Sequence, residues 1–428
     1  MAPSVEGEET RRTGAHGPSR KGRRVERGAS SYRRAMNDRQ AIARLAAAAL
    51  RGGELPACFV GFDGFVDSIT RLVATRRSSR ADDFEALRTI PEFAARCAAA
   101  AGRSTNIERV TLEDRFGGNG PLMANALMAL GAPVSFVGAI GVEGDPGAID
   151  PVFAPFAARC ARCVPIARPG HTLCLEFDDG KVMMNDTSRV QDVTWPRIVE
   201  RVGIDRLRAF VGGASVIGVV NWSLLGGVEG IWDGLRTQVL GPAGDGRERR
   251  VFIDLSDPAK RVDDDIRRAM RVLRELEDTP GVSVTLGLNL AEAERLAAVF
   301  SVRSDALSPA SRRLPALASD LRAALGFDAV IVHPREGAAG AWRGEVAWFD
   351  GPFTRAPVLS TGAGDHFNAG VAAGQAMGLG LAACLALGCA TSGAYVRDGE
   401  SPSRDRVAGL LDNLPPPDDR PRGESGGA

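Results

Sequence analysis

The 428-residue sequence predicts an α/β protein: a doubly wound, mainly parallel sheet with helices on both faces and a small β lid. Three observations predict it. Short, unbroken apolar runs recur along the chain, segments of helical pattern separate them, and one stretch interrupts the alternation with a hairpin signature.

The runs are "ACFVGF", "PVSFVGAIG", "ASVIGVVN", "RVFIDLS", "VSVTLGLN" and "AVIVHP". They are apolar in continuous blocks, the pattern of strands buried on both faces of a parallel sheet. Between them, "PLMANALMALG", "AEAERLAAVF" and "LPALASDLRAALG" supply the crossover helices that parallel strands require. "HTLCLEFDDGKVMMND" sets two strands around an Asp-Asp-Gly turn, a hairpin near 172–186 of the kind that serves as a flap. Residues 1–36 are Arg-rich and nearly devoid of apolar side chains, so a disordered basic tail is expected there. Met36 opens "MNDRQAIARLAAAAL", a first helix and an alternative start of translation. "NLPPPDDRPRGESGGA" predicts a second disordered tail over 413–428. The folded unit is expected over 37–412, with a lid built from parts of 64–116 and 165–190.

Bulk properties exclude several classes. With 44% hydrophobic residues the chain can bury a large core, and a net charge of +0 points to no polyanionic partner such as nucleic acid. No window reaches the apolar length of a membrane span, and the N-terminus lacks the apolar core of a secretory signal. Seven scattered cysteines suit a reducing interior, so a cytoplasmic location is expected.

The stretch that carries chemistry is "STGAGDHFNAG". Gly362, Ala363 and Gly364 are small enough to leave backbone amides bare, and Asp365 stands at the first turn of an apolar helix. Unpaired N–H groups and the positive end of the helix dipole make such a corner attractive to phosphate. A helix-capping Asp after a glycine turn reads the same way locally. No GxxxxGK[ST] is present, no HRD or DFG triplet, and no GxGxxG after the first strand, which excludes the P-loop and protein-kinase arrangements and weakens a dinucleotide site. "VGFDGFVDSI" puts Asp63 and Asp67 past the first strand, where open α/β sheets bind ligands and carboxylates can bridge vicinal hydroxyls. "FGGNGPLMANALMALG" offers Gly117 and Gly118 for close approach, Asn119 as an amide, and Asn125 on the following helix. "LNLAEAE" places Asn289 and Glu292 three apart after a strand, where either they order Mg²⁺-bound waters or Glu292 and Glu294 are simply first-turn acids favoured by the helix dipole.

In this order these motifs resemble the ribokinase-like sugar kinases, the PfkB family, over most of the folded unit. "GAGD" matches the family's C-terminal signature, "GGNGPLMANALMALGAPVSFVGAIG" its N-terminal signature, and Asn289-x-x-Glu292 its metal-associated motif. "ATSGAYVRDGESP", from Ala390 to Pro402, resembles the helix and loop beside the nucleotide base. The resemblance implies that Asp365 is the general base and that Gly362, Ala363 and Gly364 form the anion hole. It further implies that Asn289 and Glu292 position Mg²⁺ and that Asn289, His333 and Gly393 meet ATP. Asp63, Asp67, Gly117, Gly118, Asn119 and Asn125 would hold the sugar. The family usually carries Asp-Thr where Leu359 and Ser360 stand, which leaves open the monovalent-cation site many members build there. It also usually has Asn at the position of Leu122, so Asn125 is expected to take that contact one turn later. "GGNGPLMAN" is similar to the ADP-dependent sugar kinases of the same superfamily.

The expected activity is therefore Mg²⁺-dependent transfer of the ATP γ-phosphate to a carbohydrate hydroxyl, with a homodimer through the lid as a possible assembly. ADP as donor, a nucleoside as acceptor, or a non-catalytic sugar-binding regulator are the alternatives. Cys160, Cys163, His171 and Cys174 form a competing zinc pattern, with Arg162 between the first two favouring a plain helix surface.

Overall fold

A computed structural model describes residues 38–241, 247–303 and 308–416. The two expected terminal tails, and Met36, lie outside these residues except for 413–416, where the Pro415 carbonyl accepts a hydrogen bond from Arg39.

Helix α1 (38–52) leads into strands β1 (Cys58–Phe62) and β2 (Phe65–Arg76). Then come β3 (Phe84–Ala86), α2 (Ile90–Ala98), β4 (Arg109–Gly117), α3 (Asn119–Ala129) and β5 (Val134–Gly138). A short pair, β6 (Gly141–Val142) and β7 (Asp145–Ile149), precedes α4 (Ala154–Arg159), β8 (Arg162–Pro165) and the hairpin β9 (Gly170–Phe177) and β10 (Gly180–Asp186). The chain continues through α5 (Trp195–Val202), α6 (Ile204–Gly212), β11 (Val216–Val220), α7 (Val228–Gly234), β12 (Arg249–Asp254) and α8 (Asp263–Glu277). It ends with β13 (Val282–Asn289), α9 (Leu290–Phe300), α10 (Ala310–Leu325), β14 (Ala329–His333), β15 (Gly337–Trp342), β16 (Glu345–Asp350), α11 (Ala363–Ala376), α12 (Leu381–Asp398) and α13 (Arg404–Asp412).

All six apolar runs become strands of one nine-stranded sheet, ordered β16-β15-β14-β13-β12-β11-β1-β5-β8. It is parallel from β14 to β8, and β15 and β16 add an antiparallel edge. Alternate residues of each strand enter two separate cores. Phe59, Ile217, Ile253 and Leu286 join α5–α10 on one face; Val60, Val216, Phe252 and Ile331 join α1, α3 and α11–α13 on the other. The apolar runs are continuous for this reason, since each face of the sheet is covered by helices.

A second sheet, β10-β9-β2-β3 with β4 also on β2, is drawn from residues 65–117 and 170–186. It has its own small core of Leu72, Leu87, Leu175 and Phe177. Asp67 accordingly lies in a strand rather than in a turn or at a helix cap. Among the described residues, no helix is long and apolar enough to cross a membrane.

Candidate active site

Helix α11 begins at a sharp corner. Gly362 is its N-cap, with φ of 86°, and a Cβ there would lie 3.0 Å from the Tyr395 hydroxyl and 3.1 Å from Leu122 Cδ1. Only glycine satisfies both the left-handed backbone and the close approach. The corner is a wall between two cavities. Ala363 and Gly364 line the larger one, of about 590 Å³, together with Asn289, His333, Phe353 and Gly393. Gly362 and Asp365 line the smaller one, of about 220 Å³, together with Asp67, Gly118, Asn119 and Asn221. The helix N-terminus therefore lies at the boundary between the two spaces, although the Ala363 N–H, expected to be bare, donates to the Ser360 carbonyl at 3.2 Å.

Asp365 is 7% exposed and accepts a 2.9 Å hydrogen bond from Asn119 Nδ2. Burial, with Asp254 and Asp63 nearby, holds its carboxyl well above the usual carboxylate range. Asp254 ends β12, buried, and its carboxyl is likewise raised by burial while Ser256 N–H and Asn368 Nδ2 donate to it. Glu292 is pushed up to about 9 by burial and then by Asp254, with smaller effects from Asp257 and Asp365. Among the described residues, Asp254, Glu292 and Asp365 have no ion-pair partner. Burial favours the protonated forms of these acids, and oxygen donors without a basic partner suit a hard divalent cation that keeps most of its waters.

Residues 37–414 match the prokaryotic ketohexokinase family. A ketohexokinase of Haloferax volcanii is 31% identical over 360 residues, which cover 82% of this chain and 91% of that protein. The chain belongs to the prokaryotic ketohexokinase family. It is a carbohydrate kinase, and its fold is ribokinase-like. Solved structures share the fold: Arabidopsis thaliana ribokinase, at 18% identity and a TM-score of 0.57, covers 83% of this chain and 99% of its own. A phosphofructokinase-2 of Escherichia coli, at 14% identity and a TM-score of 0.57, covers 84% and 99%. A Methanocaldococcus jannaschii nucleoside kinase, at 13% identity and a TM-score of 0.54, covers 84% and 99%.

The kinase brings most of the residues singled out from its sequence to the two cavities, with informative exceptions. Asp63 is fully buried and lines neither. Its Oδ1 accepts the Gly120 N–H at 2.7 Å, and its Oδ2 accepts the Asn119 N–H at 2.9 Å and Asn221 Nδ2 at 2.8 Å. These bonds satisfy the N-terminal amides of α3 and aim two cavity-lining asparagines, so Asp63 acts on the smaller space through its neighbours. Burial pushes its carboxyl up to about 6, against the pull of those donors. Asp67 faces the smaller cavity from β2, also pushed to about 6 by burial and opposed by a hydrogen bond with Thr172. Gly117 makes room for it, since a Cβ there would lie 2.2 Å from Asp67 Oδ2.

Asn125 was expected to replace a sugar contact at Leu122, and the structure corrects this. Its Nδ2 donates to Ser401 at 2.7 Å and its Oδ1 accepts from Arg159 at 2.7 Å, while Leu122 lines the smaller cavity. One helical turn is not a whole number of residues, so position 125 is rotated off the face of position 122. Asn289 and Glu292 form a reciprocal capping box on α9: Asn289 N–H donates to Glu292 Oε2 at 2.8 Å and Glu292 N–H to Asn289 Oδ1 at 3.0 Å. The motif therefore acts as a helix cap, with Glu292 buried near Asp254. His333 lies against Phe367, with ring centroids 4.5 Å apart and planes tilted by 32°, and burial lowers it to about 4, so it meets the larger cavity as a neutral ring.

Among the described residues no metal-ligating group of three or more His, Cys, Asp or Glu forms. Cys160 closes α4 and Cys163 lies in the edge strand β8, so Arg162 belongs to a strand and not a helix surface; His171 and Cys174 lie on β9 of the other sheet. Sequence reasoning missed Asn185, Asn221, Ser256 and Lys260, which all line the smaller cavity, and Asp254, which accepts from the Ser256 N–H. Asn221 and Asp254 were readable in principle as the polar residues that directly follow the apolar runs "VIGVV" and "VFI".

Proposed function

We propose that this kinase phosphorylates a hydroxyl of a ketohexose held in the smaller cavity, with ATP in the larger one and Asp365 as general base. The wall formed by Gly362 to Asp365 carries the reading, because one helix N-terminus serves both spaces. A hydroxyl bound beside Asp67, Asn119 and Asn221 has a proton acceptor in Asp365, whose raised proton affinity makes it a strong base once ionised. Gly362 and Gly364 present amides to the charge that develops on the transferred group, with Ala363 packed between them. Asn289 and Glu292 would hold Mg²⁺, with Asp254 adding charge. When bound, the ion neutralises phosphate charge during transfer. The hairpin β9–β10 contributes Thr172 and Asn185 to the smaller cavity and would exclude water on closing.

The test is Asp365→Asn in an ADP-release assay with ATP, Mg²⁺ and a panel of ketohexoses and aldohexoses. Turnover on the preferred ketohexose should fall at least ~10²-fold, while calorimetry shows nucleotide binding retained. Wild-type turnover in the variant would remove Asp365 as the base. An aldohexose preferred over every ketohexose would overturn the substrate class.

A further inference from the structure

The residue after Asp365 is a histidine with no part in the chemistry above, and it is completely buried. The Gly362 carbonyl accepts two hydrogen bonds from it, one from its backbone N–H at 3.1 Å and one at its Nδ1 at 2.7 Å. A carbonyl only accepts, so Nδ1 carries the proton. Burial lowers this imidazole to about 4, which leaves the ring neutral and Nε2 a bare acceptor. Nε2 lies 2.7 Å from Ser401 Oγ, so the Ser401 hydroxyl donates to it. That hydroxyl in turn accepts from Asn125 Nδ2 at 2.7 Å, and Asn125 Oδ1 accepts from Arg159. Every proton in the chain from Arg159 through Asn125, Ser401 and His366 points towards Gly362. The same ring stacks on Tyr395, with centroids 3.6 Å apart and planes 16° from parallel, and the Tyr395 hydroxyl donates to the Thr361 carbonyl at 2.7 Å.

Two successive carbonyls at the corner are therefore held by two stacked, buried rings. A peptide plane that leads into or out of a left-handed glycine can rotate with little steric hindrance. Rotation here would swing a carbonyl oxygen to where an amide is needed, setting partial negative charge against a phosphate. We propose that His366, held as its Nδ1–H tautomer by Ser401 and Asn125, is a positioning residue that fixes the Gly362 carbonyl away from the transferred phosphate, with Tyr395 doing the same for Thr361. The inference rests on the reading of this corner as the phosphate-transfer site.

Two substitutions separate positioning from mere packing. In His366→Asn the amide nitrogen takes the place of Nδ1 and can still donate to Gly362. In His366→Gln it takes the place of Nε2, and the bond to Gly362 is lost. Steady-state kinetics with ATP and the preferred ketohexose, beside thermal unfolding, should show kcat of His366→Asn within about threefold of wild type. His366→Gln should lose on the order of 10- to 10²-fold in kcat, with both KM values within about threefold and a melting temperature close to that of His366→Asn. Equal kcat in the two variants, whether high or low, overturns the proposal. Should His366→Gln fail to fold, Tyr395→Phe decides: it keeps the stacked ring, and kcat should fall about tenfold, whereas wild-type kcat overturns the proposal. Asp365→Asn is measured in the same series. An active Asp365→Asn brings down the reading of the corner and this inference with it; an inactive one beside a fully active His366→Gln sinks this inference alone.

Discussion

Gly364→Ala separates what the corner does for the fold from what it does for the reaction. A Cβ at 364 would meet one side-chain atom within 4 Å among the described residues, His333 Cε1 at 3.6 Å, an ordinary contact. Nothing has to move, and alanine in a helix is favoured over glycine by ~0.5–1 kcal/mol. The variant should therefore melt about 1–2 °C above wild type. Its new methyl, however, stands at the lining of the larger cavity, over an amide that the proposed function sets against the donor's phosphates. Losing one preorganised donor costs ~10²-fold or more in rate, equivalent to ~2.7 kcal/mol of transition-state stabilisation. That exceeds the gain in stability, so the variant is more stable and less active. Calorimetry without ligand, ATP titration and kcat/KM in the ADP-release assay measure all three quantities. A kcat/KM within about threefold of wild type, with unchanged ATP affinity, would refute the placement of phosphate at this corner. Gly362→Ala provides the contrast: its positive φ and its contacts at 3.0 and 3.1 Å predict a loss of stability of about 1–2 kcal/mol.

Two further predictions concern the acids. Glu292 is raised from 4.5 to about 9, so at pH 7 it holds a proton that Mg²⁺ must displace. Half-saturating Mg²⁺ should fall as pH rises from 7 to 9 in wild type, whereas Glu292→Gln should need more metal at pH 9 and show a flat profile. A raised acid contributes stability that is complete below 4.5 and lost as pH rises through 9, so the metal-free variant should also melt with a shallower decline over that range. Overlapping Mg²⁺ titrations for the two proteins would count against this role. Asp67, raised from 3.8 to about 6, accepts sugar hydroxyls best as the carboxylate, so the sugar KM should fall as pH rises through 6 and then level off. Asp67→Asn should raise that KM roughly tenfold without moving the KM for ATP, in keeping with ~1.5 kcal/mol for a charged hydrogen bond; an unchanged sugar KM at pH 7.5 would exclude the contact.

Much of this molecule is local in origin. Continuous apolar runs are what a strand needs when helices cover both of its faces, so "ACFVGF" and "VSVTLGLN" announced buried parallel strands without any knowledge of their neighbours. The Asp-Asp-Gly turn announced its hairpin in the same way. Glycine at 362 and the acid at 365 were legible because the demands they meet, a left-handed backbone and a first-turn carboxylate, belong to the residues themselves. Asp63 was different. Its side chain could be recognised as placed at a strand end, but its partners come from residues 119, 120 and 221, and nothing in "VGFDGFVDSI" says that those amides would claim both carboxylate oxygens. Asn125 failed for a related reason, since its partners Arg159 and Ser401 arrive from two other elements.

The sequence by itself determined the strands, the helices between them, the hairpin and the glycine corner that opens α11, because periodicity and backbone stereochemistry act over a few residues. Only the tertiary structure decided which polar groups meet. The sheet order β13-β12-β11-β1 sets Asn289, Asp254, Asn221 and Asp63 along one edge at the ends of successive strands, from positions far apart in the chain. Burial among one another then raises Asp254, Glu292 and Asp365 together. Charge interaction depends on distance and on the exclusion of water, and neither is written in the spacing of residues along a chain.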